Sequence, residues 1–83
     1  MTTFKREFKF NDDYMRIISY NIRKYRKEAN ITQEQLAVDI ERSYDFVRRL
    51  EFKKGEVGCS LETLSRIAIV LNQPIYKFLK DEK

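Results

Sequence analysis

Apolar residues recur at helical spacing in five stretches of the chain, with polar and charged residues filling the faces between them. Ile18, Ile22, Tyr25 and Ala29, led by Met15, predict a first helix that runs to about Glu28. Leu36, Ala37 and Ile40 predict a short second helix, and its small Ala37 lets a crossing helix come close. Phe46, Val47 and Leu50 form the inner stripe of a third helix, over residues 43–53. Leu61, Leu64, Ala68 and Leu71, flanked by Ile67, predict a fourth. Ile69 and Val70 widen its apolar face beyond a single stripe, which leaves one of them available to another chain. Ile75, Phe78 and Leu79 mark the apolar edge of a last helix, with Tyr76 and Lys77 outside.

The residues between these stretches carry helix-end signals. Asn11, Asp12 and Asp13 suit a helix start, where acidic side chains meet the positive end of the dipole. Asn30 can take the left-handed conformation that ends a helix. Thr32, with Gln35 three residues on, forms a capping-box pattern that would satisfy two otherwise unpaired backbone donors. Ser43 and Ser60 are N-caps for the third and fourth helices, Glu62 lies in the first turn of the fourth, Asn72 ends it, and Pro74 suits the first position of the last. Gly55 and Gly58 punctuate a loop from Phe52 to Cys59. The expected organisation is one all-α domain over residues 13–80, an N-terminal arm of residues 1–12, and a polar tail of residues 81–83. In the arm, Phe8 and Phe10 alternate with charge beyond Phe4. A disordered arm, an extended segment packed on the domain and a strand pairing across a dimer all fit. The cost of leaving three phenylalanines in water favours the second.

A chain of 83 residues holds a single core and no more. Its formal charge of +4 favours polyanionic partners only mildly, and the distribution says more. From Arg42 to Lys54, the bases Arg42, Arg48, Arg49, Lys53 and Lys54 outnumber Asp45 and Glu51. The stretch Ala29–Glu41 carries Glu34, Asp39 and Glu41 and no base, and everything from Gly55 onward sums to zero. Positive charge in the second half is gathered on the third helix and the loop after it. Histidine is absent, which excludes Ser-His and Cys-His catalysis and most zinc sites. Two glycines in one loop make no phosphate cradle, and the carboxylate pairs Asp12–Asp13 and Asp81–Glu82 sit near the termini. No enzyme, metal, cofactor or small-molecule ligand is expected. A lone cysteine cannot form an internal disulfide, which suits a reducing compartment. Cys59, beside a helix start, could have a lowered thiol pKa or be a plain small loop residue, and the latter is the simpler reading. The longest apolar run, Ile67–Leu71, is too short for a bilayer, and Met1–Phe10 lacks the apolar centre of a signal peptide. A cytoplasmic protein is expected.

Tyr44, Asp45, Arg48 and Arg49 occupy the outer face of the third helix. A basic, hydrogen-bond-rich helix face suits the DNA major groove, whose width admits one helix. A solvated face is the alternative, and spacing alone does not choose between the two. The sequence T-Q-E-Q-L-A from Thr32, followed by S-x-x-x-V-x-x-L-E from Ser43 to Glu51, resembles the phage-repressor-like (Cro/XRE-type) helix-turn-helix family. The resemblance runs from about Ile22 to Leu79 and includes Arg23 through Arg26, Ile31-Thr32-Gln33, and S-L-E-T-L-x-x-I-A-x-x-L from Ser60 to Leu71.

That resemblance implies a compact five-helix lambda-repressor-like fold and sequence-specific binding of double-stranded DNA, in a transcriptional regulator, most simply a repressor. It implies that Gln33 anchors a phosphate at the start of the second helix, and that Tyr44, Asp45 and Arg49 stand at base-reading positions. Arg49 would make a bidentate contact to guanine worth about 1–3 kcal/mol of discrimination, and Arg48 would reach phosphate or a neighbouring base. Asp45 would accept from a cytosine amine or merely orient Arg48 or Arg49. Arg42, Ser43, Lys53 and Lys54 complete the expected DNA-binding set, the lysines as phosphate clamps or as plain loop solvation, and Ser43 as contact or only as cap. Arg26 and Glu51 would form a structural ion pair. Operators of this family are usually two-fold, so a homodimer is implied, through the C-terminal helix (Ile75, Phe78, Leu79), the N-terminal aromatic arm, or both.

The chain also departs from the family. Glu41 stands where glycine is usual and Arg42 where an apolar residue is usual. A non-glycine residue with positive φ costs about 1 kcal/mol, so the turn is expected either to be remodelled or to be displaced by a longer second helix. Arg42 fits the slot only if its stem packs and its head reaches solvent. The loop after Glu51 is slightly long and lacks the usual proline. These departures and Asp45 keep two other readings open: an antitoxin or controller protein that also binds a protein, and an interaction module that has lost DNA binding.

Overall fold

The computed structural model describes residues 13–52 and 58–81, and among these the chain is all-α. Helices α1 (Tyr14–Glu28), α2 (Gln33–Asp39), α3 (Tyr44–Leu50) and α4 (Leu61–Val70) are followed by a 3-10 helix, Ile75–Leu79. The N-terminal arm, the stretch Lys53 to Val57 and the last two residues of the tail lie outside the described residues, as do the readings made for them. The last element, expected as a helix, is a 3-10 helix. Only five residues separate Pro74 from Lys80, whose backbone is already extended, and so short a run closes as the tighter 3-10 form. The third helix is likewise shorter than residues 43–53, with Ser43 and Glu51 as its caps.

Four side chains start the helices. Asp13, Thr32, Ser43 and Ser60 accept hydrogen bonds from the backbone N–H of Arg16, Gln35, Phe46 and Thr63, each at 3.1 Å. Only half of the expected capping box forms, because the Gln35 amide donates along the helix to Asp39 at 2.8 Å. Three helices end alike, on a residue in the left-handed region: Asn30 (φ 58°), Glu41 (φ 60°) and Asn72 (φ 55°). In each, that residue and the next donate back into the last turn, as Glu41 does to Val38 and Arg42 to Ala37.

The inner stripes meet in one core, with Ile22, Leu36, Val47, Leu50, Ile67 and Phe78 fully buried. Each such side chain contributes about 1.5–3 kcal/mol of transfer free energy. Phe78 lies edge-on to Tyr25, ring centroids 5.3 Å apart, and so leaves the dimer surface proposed for it. Ala29 is exposed as the C-cap of α1, one residue past the last helical residue. Leu61 is 71% exposed: it sits at the edge of its stripe on the opening turn, and Thr63 takes the inward place instead. Val70 packs against the core whereas Ile69 is 79% exposed, so only Ile69 is left to solvent. Asn21, fully buried, donates to the carbonyls of Phe78 and Lys80 at 2.9 Å and ties the 3-10 helix to α1. No helix among the described residues is long and apolar enough to cross a membrane.

Candidate nucleic-acid interface

Helix α3 buries Val47 and Leu50, rests Phe46 against the core, and turns Tyr44, Asp45, Arg48 and Arg49 outward. Their side chains are each about half exposed or more, as the period of a seven-residue helix dictates. The Asp45 carboxylate accepts from the Arg48 guanidinium at 2.6 Å and stands 3.8 Å from that of Arg49. The hydrogen bond from Arg48 is the main cause that holds Asp45 below the usual carboxylate range; desolvation opposes it, and the charges of Arg48 and Arg49 add to it. The same bond raises Arg48. In the free protein Asp45 is thus paired with Arg48 and lies close to Arg49. Ser43 uses its hydroxyl oxygen as the α3 cap and keeps its O–H for another acceptor.

Behind this face, α1 grips the C-terminal end of α3. Ser19 donates to the Leu50 carbonyl at 2.6 Å and Arg23 to that of Glu51 at 3.0 Å, satisfying acceptors the helix leaves open. Arg26 forms a bidentate pair with the Glu51 carboxylate, at 2.6 and 2.9 Å, both side chains nearly buried. Its remaining nitrogen donates to the Ile31 carbonyl, and the Gln33 amide donates to Glu51 at 3.1 Å. One buried carboxylate thus joins α1, the start of α2 and the end of α3. Gln33 keeps a second amide hydrogen free of that contact.

The turn between α2 and α3 keeps its place despite Glu41. The left-handed backbone is held from α4: Arg66 donates to the Ile40 carbonyl at 3.0 Å and lies 3.8 Å from the Glu41 carboxylate. Arg42 is half-buried. Its guanidinium donates to the Glu41 carbonyl at 3.1 Å and to the Thr63 hydroxyl at 3.4 Å, so its head turns toward α4 rather than out to solvent. Cys59 does not have the lowered pKa considered for it, since burial pushes its thiol up and only the Arg42 charge opposes this. Lys53 and Lys54 lie outside the described residues.

Sequence reasoning missed Ser19, Arg23 and Arg66 as positioning groups. A signal existed for the first two. With Arg26 they fall at i, i+4 and i+7, a polar stripe beside the apolar one on α1. Nothing comparable marks Arg66.

A sequence model described as the Cro/C1-type HTH DNA-binding domain matches residues 21–82. No curated protein matches the chain. Among solved structures, a hypothetical transcription factor, NHTF, from Neisseria superposes with a TM-score of 0.79 at 22% identity, covering 96% of this chain and 90% of that one. The clp gene regulator ClgR from C. glutamicum superposes at 0.72, also at 22% identity, covering 82% and 87%. At such identities these two likenesses speak for the fold.

Proposed function

The chain belongs to the Cro/C1-type helix-turn-helix DNA-binding family, and from that premise we propose that it is a transcriptional repressor reading duplex DNA in the major groove with α3. The family is one of DNA-binding domains, not of enzymes. The observation that carries the reading is the outer face of α3, where four polar side chains point away from a helix braced from behind by Ser19, Arg23 and Arg26. A rigid mount of this kind is what base readout needs. In the proposed complex Arg49 reads guanine, Tyr44 and Arg48 contact neighbouring bases or phosphate, and Gln33 gives its second amide hydrogen to a phosphate. Ser43, Lys53 and Lys54 add backbone contacts, while Arg42, turned toward α4, supports the turn. One seven-residue helix reads few base pairs, so the active species is a homodimer on a two-fold site.

Selection of bound sites from a random duplex pool tests this directly. Recovery of a two-fold motif is expected, with Arg49→Ala relaxing preference at one base position of each half-site. A pool without enrichment at any sequence would overturn the reading in favour of an interaction module. That alternative is favoured by one observation: two of the face's cations converge on Asp45 in the free protein.

A further inference from the structure

Two arginines on α3 could hold phosphate on any duplex, and one carboxylate stands between them. Asp45 touches Arg48 at 2.6 Å and approaches Arg49 at 3.8 Å, with all three side chains more than half exposed. Neither contact braces the fold, since α3 is fixed by Ser19, Arg23 and Arg26 on its other side. The pair therefore acts on what approaches the face. Contact with a random phosphate requires Arg48 to leave Asp45 and brings a bare carboxylate against an anionic backbone and against base acceptors. A base offering an exocyclic amine, from cytosine or adenine, satisfies that carboxylate when Arg48 leaves it.

Resting on the reading of α3 as the DNA-contacting helix, we propose that Asp45 is a specificity-determining residue that suppresses binding to non-cognate duplex by sequestering Arg48. It weakens random contacts more than cognate ones, so it widens the ratio between them rather than raising affinity for either. The residue works through Arg48, which gives the test its form.

Affinity for a random-sequence duplex is measured across a salt series for the wild type, Asp45→Ala, Arg48→Ala and the double variant, beside affinity for the pool-selected site. Circular dichroism checks that each variant is folded, and Asp45→Asn repeats the series with the side-chain shape kept. Asp45→Ala is expected to raise random-duplex affinity roughly three- to tenfold, to steepen the logarithmic salt slope by about one, and to narrow the ratio to the selected site. Arg48→Ala is expected to lower random affinity clearly less when Asp45 is present than when it is absent, where it removes most of the gain. Equal effects of Arg48→Ala in both backgrounds, or an unchanged salt slope in Asp45→Ala, would overturn the inference while leaving DNA binding intact. A wild type that binds neither duplex would instead overturn the functional reading, and this inference with it.

Discussion

Glu41 occupies a conformation that side chains avoid. At φ 60° its Cβ crowds the following carbonyl, a strain of about 1 kcal/mol that glycine does not feel. Asn30 and Asn72 meet the same demand at the ends of α1 and α4 with a residue type suited to it, and both were legible from the sequence. Glu41 was not. Neighbouring residues give no sign that the turn survives, because what holds it comes from α4, where Arg66 reaches the Ile40 carbonyl. The Arg66–Glu41 contact at 3.8 Å adds little, since the Glu41 side chain is 82% exposed and well screened. Replacing Glu41 by glycine should therefore stabilise the domain only slightly, by up to about 0.6 kcal/mol after the greater freedom of the unfolded chain is subtracted. The measurement is the urea midpoint at constant m-value. A lower midpoint would show that the side chain of Glu41, through Arg66, contributes more than its backbone costs.

Each helix of the motif is short, so neither is stable by itself and both depend on α1 for their setting. The pairing of Arg26 with Glu51 lies at the junction. The resemblance implied that pair, but its neighbours Ser19 and Arg23 were missed because the inward stripe of α1 was drawn from apolar residues alone. The last element was legible as a helix, but periodicity over Ile75–Leu79 cannot tell an α turn from a 3-10 one, and the pin from Asn21 is a contact of long range. Arg26→Ala would leave the Glu51 carboxylate buried without its cation and should cost about 3–5 kcal/mol, whereas Arg26→Met combined with Glu51→Leu should cost far less. Thermal unfolding of the two variants separates these cases. Should the double substitution prove as destabilising as the single one, the pair would be contributing through Ile31 and Gln33 rather than through its own charge balance.

At the scale of the molecule, the sequence placed the core and the polar outer face on opposite sides of α3, since a single helical period decides both. Which apolar residues stay outside was harder to read, because it depends on how α4 and the 3-10 helix close on each other. Phe78 went inward against Tyr25, while Ile69 stayed out and shares with Ile75 the wall of an open groove between those two elements. An isoleucine four-fifths exposed on the wall of that groove fits a surface covered in the working state better than one that stays in water. With a two-fold operator, that cover would be the same groove of a second copy. Ile69→Lys places a charge there without touching the buried core, so the monomer should keep its unfolding midpoint. Sedimentation equilibrium should then show a shift toward monomer. Binding to a two-fold site should weaken by an order of magnitude or more, while binding to an isolated half-site is unchanged. If mass and both affinities stay at wild-type values, the α4 groove is not a dimer surface.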